Sequence, residues 1–74
     1  MNVQHSANDF MTEWAIERFG ERCFVKPAAR FLGINESTMH RWVIGKQPLD
    51  WDSKYVLAAQ EDLKALKKIR EILE

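Results

Sequence analysis

Residues 28–46 read AARFLGINESTMHRWVIGK, and two short helical patterns are separated by a glycine within this stretch. The first pattern covers residues 27–32. It opens with Pro27, which is tolerated at the first helical position, and it stops at Gly33, where a positive φ costs little. The second pattern covers residues 36–44. The stretch therefore predicts two helices joined by a tight turn.

The second predicted helix has defined ends and two different sides. Asn35 is the expected N-cap, with its side-chain oxygen accepting a hydrogen bond from the Thr38 amide, and Gly45 closes the helix. Apolar side chains recur at helical spacing on one side, at Met39, Trp42 and Val43. The opposite side is polar and consists of Glu36, Ser37, His40 and Arg41. One side is predicted to pack and the other to face outward.

The spacing around the turn meets the requirements for close packing of the two helices. The residue four positions before the turn glycine has to be small, and it is Ala29. Ile34 follows the glycine and is expected to insert into the core, while Met39 and Trp42 hold the second helix at its angle. Helix, turn and helix are thus predicted to form one packed unit.

An excess of positive charge lies in the same part of the chain as the two predicted helices. The whole sequence has 11 basic and 11 acidic residues and no net charge, whereas nucleic-acid-binding domains usually carry a basic excess. Residues 1–21 have a net charge of −3 and residues 47–74 of −1, so residues 22–46 carry +4. The basic groups of this segment are Arg22, Lys26, Arg30, Arg41 and Lys46, against Glu36 alone. A local positive field can bind phosphates whatever the total charge.

A helix is predicted before the central unit and a long one after it. Residues 8–19 carry apolar side chains at helical spacing, with Ser6 or Asn8 as cap and Gly20 at the end. Residues 1–7 are expected to be a flexible tail. The last helix is predicted over residues 51–73, capped by Asp50 or Asp52.

The prediction is a single all-α domain of four helices, with a central helix-turn-helix and a long C-terminal helix. The early part of the last helix, with Val56 and Ala59, is expected to cover the central unit. The predicted core of the other three helices consists of Trp14, Phe19, Ala29, Phe31, Leu32, Ile34, Met39 and Trp42.

Residues 28–46 resemble the helix-turn-helix of the phage repressor and Cro-like (XRE-type) family. The resemblance lies in the Leu-Gly-Ile turn, the Ser-Thr opening and the Arg-Trp-x-x-Gly-Lys ending, and it covers about a quarter of the chain. Small phage regulators, including those encoded beside anti-CRISPR genes, are similar in size and plan. The long final helix departs from the five-helix arrangement usual in the family.

The resemblance implies that the second helix of the unit reads the major groove of double-stranded DNA. Carried over by position, the residues directed at base edges are Glu36, Ser37 and Arg41, with His40 beside them. Arg41 is suited to a bidentate pair with guanine and Glu36 to the amino group of cytosine. The residues implied in phosphate contacts are Lys26, Thr38, Lys46 and Gln47.

The function implied is that of a transcriptional regulator, in the first place a repressor that occupies a palindromic operator. An apolar stripe on the last helix exceeds what so small a domain is expected to hide, and we expect it to form a homodimer interface. The alternative is a monomer that uses the stripe internally. The stripe consists of Leu63, Leu66, Ile69 and Leu73. An alternative is a protein-interaction module that docks a partner protein through the helix-turn-helix and the last helix.

Other classes of function find little support in the sequence. Cys23 is the only cysteine and is expected to be buried and inert; with His5 and His40 it forms no zinc-binding spacing. We expect no catalytic residues, cofactor or small-molecule ligand. No apolar run is long enough to span a membrane and the start lacks signal-peptide features, so a cytoplasmic location is the expectation.

Overall fold

Four α-helices and the turns between them make up residues 6–73, the part of the chain that the computed structural model describes. The helices are α1 (Ala7–Phe19), α2 (Val25–Leu32), α3 (Glu36–Val43) and α4 (Lys54–Leu73). The predicted all-α architecture with a long last helix is confirmed. Residues 1–5, which include His5 and most of the predicted tail, lie outside the described residues, as does Glu74.

α1 begins one residue earlier than predicted. The Ser6 hydroxyl accepts a hydrogen bond from the Asp9 backbone N–H at 3.1 Å and caps the helix. Ala7 is 2% exposed and belongs to the core, so its assignment to a flexible tail was wrong. The helix ends at Gly20, whose N–H donates to the Ile16 carbonyl oxygen at 2.8 Å.

α2 also begins earlier, at Val25 instead of Pro27. Phe24 already has helical backbone angles, and its carbonyl oxygen accepts from the Ala28 N–H at 3.0 Å. Pro27 therefore lies inside the first turn. It fits there because the first backbone N–H groups of a helix have no partner within the helix, so the missing donor costs nothing.

The hydrogen bonds at the starts of α3 and α4 differ from the predicted capping bonds. The Asn35 side chain makes no capping hydrogen bond; its backbone carbonyl accepts instead from the N–H groups of Thr38 and Met39, at 3.1 and 3.2 Å. α4 begins at Lys54 and not at residue 51, because residues 50–53 form a turn in which Ser53 N–H donates to the Asp50 carbonyl oxygen. The Ser53 hydroxyl accepts from the Tyr55 N–H at 3.3 Å and takes the place of an aspartate cap.

The core lies between the four helices and includes buried residues from each of them, with those of α4 in its first half. Of the predicted core, six residues are buried as expected: Trp14, Ala29, Met39, Trp42, Val56 and Ala59. Phe19, Leu32 and Ile34 are half-buried against them. The prediction for Phe31 was wrong, since it is 45% exposed: its ring lies over the outer side of Trp14 and Phe19, at centroid distances of 5.5 and 6.2 Å.

α4 packs mainly along α1 and touches the central unit near its own start. The Tyr55 ring lies against Trp42 at a centroid distance of 5.4 Å. Farther along, Asp62 Oδ2 accepts from Trp14 Nε1 at 2.8 Å and lies 3.3 Å from Arg18 Nε. The expectation that the early part of α4 would cover the helix-turn-helix was thus only partly correct, because α4 packs mainly against α1.

Cys23 lies in the turn between α1 and α2 and is exposed, which corrects the prediction of a buried thiol. Its backbone adopts the left-handed conformation, with φ of +56°. The chain turns outward at residues 21–23 before Phe24 and Val25 return to the core, and this turn leaves the thiol outside.

Candidate nucleic-acid interface

The turn between α2 and α3 is fixed by backbone hydrogen bonds. Gly33 has φ of +70°, a conformation that residues with a β-carbon rarely adopt. Its N–H donates to the Arg30 carbonyl oxygen at 3.2 Å, and the N–H of Ile34 donates to the Ala29 carbonyl oxygen at 3.0 Å. These bonds satisfy the last carbonyls of α2 and set the direction in which the chain enters α3.

α3 is held on the domain by one side only. Met39 is fully buried, Trp42 is 2% exposed, and Ala29 of α2 is buried with them. The side chains predicted to face outward are exposed: Glu36, Ser37, His40 and Arg41. A rigid helix therefore presents a polar and charged surface that the rest of the domain leaves free.

The Arg41 side chain is oriented by two neighbours. Its Nε donates to Gln47 Oε1 at 3.2 Å, and its Nη2 donates to Thr38 Oγ1 at 3.3 Å. A guanidinium has five N–H donors in a fixed fork, so about three remain for a ligand. The structure thus brings together one predicted base-reading residue and two predicted phosphate-binding residues, a group that we call the Arg41 cluster.

The segment that carries Gln47 folds back onto the end of α3. The N–H groups of Lys46 and Gln47 both donate to the Arg41 carbonyl oxygen, at 2.9 and 3.3 Å. Backbone hydrogen bonds as well as side-chain contacts therefore hold Gln47 beside Arg41.

Asn8 fastens this segment to α1. Its Nδ2 donates to the carbonyl oxygens of Gln47, at 2.8 Å, and Trp42, at 3.1 Å, and its Oδ1 accepts from the Leu49 N–H at 3.0 Å. The sequence suggested only a capping role for Asn8. Its partners lie at least 34 residues away, so no local pattern could have identified them.

The other two predicted phosphate-binding residues lie outside the Arg41 cluster. Lys26 is exposed in the first turn of α2, and Lys46 is exposed just after α3. Within residues 6–73, no side-chain hydrogen bond joins either of them to the cluster. All five basic residues of residues 22–46, the segment with a net charge of +4, are exposed, so their charge is available to a ligand in solution.

The residues predicted to form a dimer interface differ in exposure. Leu63 is half-buried against the core and Leu66 is also half-buried, whereas Ile69 and Leu73 are exposed, Leu73 to 80%. The domain therefore covers part of the predicted stripe itself.

Two clefts lie away from α3, between α1 and α4, with volumes of about 380 and 220 Å³. Phe10, Leu63 and Lys67 line both. Among the described residues, no three His, Cys, Asp or Glu side chains are grouped to hold a metal ion. Over the same residues, no helix has the length and apolar character needed to cross a membrane.

Comparison of the chain with protein-family models, curated proteins and solved structures found no match. The proposal for its function therefore rests on the residues and geometry of the chain itself.

Proposed function

We propose that this protein is a sequence-specific DNA-binding regulator of transcription, of the repressor and Cro-like kind, that inserts α3 into the major groove. The observation that carries the proposal is the Arg41 cluster: an exposed arginine, oriented by Thr38 and Gln47, on a helix anchored from behind by Met39 and Trp42. Recognition of base edges needs donors held at fixed positions on an element that fits the groove, and an α-helix fits it.

The base-reading roles follow from side-chain chemistry. Arg41 keeps enough donors to bind guanine O6 and N7 while its bonds to Thr38 and Gln47 persist. Glu36 is exposed in the first turn of α3, and its carboxylate would accept from the amino group of cytosine. Ser37 and His40 complete the proposed reading surface.

Phosphate contacts would position α3 on the duplex. Lys26 and Lys46 supply exposed charge on either side of it in sequence, and Thr38 and Gln47 supply polar groups beside Arg41. The Asn35 side chain does not occupy the N–H groups at the start of α3, and the positive end of a helix dipole favours an anion there. These contacts contribute affinity without sequence information.

In this proposal the protein acts in the cytoplasm as a homodimer on a palindromic operator, with α4 joining the two copies. Two recognition helices about 34 Å apart then meet successive major grooves. Repression would be steric, by occupying DNA that polymerase needs. The proposal assigns no cofactor, small-molecule ligand or catalytic step.

Selection from random-sequence duplexes, followed by affinity measurements across a salt series, tests the proposal. The expected result is a two-fold symmetric site whose affinity falls steeply with salt, because bound phosphates release counterions. Failure to enrich any sequence, with no binding even at low salt, would overturn it.

The second candidate function is a protein-docking module. It is favoured by the large apolar side chains exposed on α4 and around the loop before it, which are Trp51, Leu57, Ile69, Ile72 and Leu73. A docking module does not need the charge segregation or the Arg41 cluster. Arg41→Ala separates the two candidates, because it would weaken DNA binding and leave docking through α4 intact.

A further inference from the structure

α4 carries two heptad-like series on opposite sides. The inner series is Val56, Ala59, Leu63 and Leu66, which are buried or half-buried. Displaced by two residues, and hence by about 200° around the helix, is a second series with the same spacing. This outer face consists of Ala58, Glu61, Ala65, Lys68 and Ile72, all of them exposed. α1 covers the inner side, so the outer face is left without a partner in the described domain.

We propose that the outer face of α4 pairs with the same face of a second copy, antiparallel, with Ala65 at the two-fold axis. The inference rests on the homodimer of the proposed function. It assigns the contact to the outer face instead of the predicted stripe, because Leu63 and Leu66 of that stripe are half-buried within the single copy, and it specifies the direction of the contact. The proposed partner of the outer face is a second copy of the chain, because this face is complementary to itself in side-chain size and in charge.

Size complementarity follows from the positions of the residues. Ala58 and Ile72 lie seven residues on either side of Ala65, so antiparallel pairing about Ala65 places the small Ala58 of one copy opposite the large Ile72 of the other. Ala65 meets Ala65 at the centre, where small side chains let two helix axes approach to about 8 Å. Ile72 is 80% exposed in the single copy and would be covered.

Charge complementarity follows from the same symmetry. Glu61 lies four residues before Ala65 and Lys68 three residues after it, so Glu61 of each copy falls beside Lys68 of the other, at two equivalent points. Glu61 already lies 3.7 Å from Lys64 within its own helix, but both side chains are 77% exposed, and such a pair holds its partners weakly. Glu61 is therefore free to turn toward Lys68 of the second copy.

Parallel pairing of the outer face is disfavoured by the same residues. It would place Glu61 against Glu61 and Lys68 against Lys68. It would also pair small Ala58 with Ala58 and large Ile72 with Ile72, so that one distance between the helices could not suit both ends. Charges that repel in one arrangement and attract in the other are a common means of fixing helix orientation. The outer face thus selects the antiparallel direction.

Charge exchange at positions 61 and 68 tests both the surface and its direction. The experiment is sedimentation equilibrium without DNA, at low ionic strength, on the wild-type chain, Glu61→Lys, Lys68→Glu and the double variant. Each single variant should weaken dimerisation about tenfold, because it creates two like-charge contacts. The double variant should restore it to within about threefold. Glu71→Lys, the same charge change at an exposed site of α4 outside the outer face, should leave it unchanged.

The contrary outcomes are equally specific. A wild-type chain that remains monomeric at about 1 mM would overturn the proposal. So would single variants that dimerise like the wild type, or a double variant as weak as the singles. Binding to a duplex with one half-site, measured separately, reports on α3 alone, so loss of the dimer and failure of DNA recognition are told apart. Circular dichroism of each variant verifies that the fold is retained.

Cysteine pairing gives a second measure of direction. In a Cys23→Gly background, Ala65→Cys should form an intermolecular disulfide with itself, because the two-fold axis brings the same residue of both copies together. Ala58→Cys should not pair with itself but should pair with Ile72→Cys in a mixture. Self-pairing of Ala58→Cys at the rate of Ala65→Cys would indicate a parallel contact and overturn the proposal.

Discussion

The side chain of Asn8 holds the backbone of Gln47, donating from Nδ2 to the Gln47 carbonyl oxygen at 2.8 Å. The Gln47 side chain in turn accepts from Arg41 Nε. A residue at the start of α1 is therefore connected, through one intermediate, to the guanidinium that we propose reads a base. The orientation of the reading surface depends on α1 as well as on the helix-turn-helix.

Asn8→Asp breaks this connection without changing the size of the side chain. A carboxylate would face the carbonyl oxygens of Trp42 and Gln47, so we expect the free energy of unfolding to fall by about 1–3 kcal/mol in urea denaturation. Asp9→Asn, at the exposed neighbouring position, is the control and should cost about 0.5 kcal/mol from the helix dipole alone. Equal losses would show that the Asn8 bonds contribute little.

Arg41→Ala and Lys46→Ala should have different effects on DNA binding. Removing a bidentate base contact is expected to cost about 1–3 kcal/mol at the selected site and to abolish the preference at one base pair. Removing the lysine should weaken all sequences alike and lower the salt slope by about one unit. Affinities for the selected site, single-base variants and a random duplex measure both effects. Identical profiles for the two variants would contradict the division of roles.

Asp62→Ala should destabilise the domain by about 1–3 kcal/mol, because the indole N–H of the buried Trp14 loses its acceptor. The nearby Lys64→Ala is the control: its pair with Glu61 is 77% exposed on both sides, and the loss should be about 0.5 kcal/mol or less. Thermal or urea denaturation of the two variants gives the comparison. A loss for Lys64→Ala as large as that for Asp62→Ala would argue against the Trp14 contact.

The Cys23 thiol should react with a thiol reagent in the native state at nearly the rate seen in denaturant, because it is exposed. Cys23→Gly should be more stable than Cys23→Ala by about 1 kcal/mol, since only glycine adopts the left-handed conformation of this position at little cost. Slow labelling of the native protein would show that the Cys23 thiol is buried, as the sequence had suggested.

The features that the sequence predicted correctly are local ones. The turn at Gly33, the small Ala29 and the alternation of apolar and polar residues in α3 act within a few positions, and they suffice to predict the helix-turn-helix and its outward side. The outward orientation of Arg41 was predicted in this way, whereas its proposed base-reading role came from the family resemblance. The side on which it lies depends only on the helical period.

Several features that the sequence did not reveal depend on distant parts of the chain. Periodicity places Phe31 on the apolar side of its own helix but cannot tell whether another element covers it, and none does so fully. The contact of Trp14 with Asp62 joins residues 48 positions apart. The partners of Asn8 and the division of α4 into inner and outer sides likewise emerge only once α1 and α4 have packed.

The bonds made by Asn8 and Trp14 also bear on the order of folding. They join parts of the chain 34 to 48 residues apart, whereas α2 and α3 are joined through a turn of three residues. Because closing a long loop costs entropy before its contacts form, the α2–α3 unit is expected to assemble first and the two ends of the domain to meet late. Substitutions at Asp62 should then act mainly on the unfolding rate and those at Ala29 mainly on the folding rate. The element proposed to recognise DNA would be the nucleus around which the rest of the chain folds.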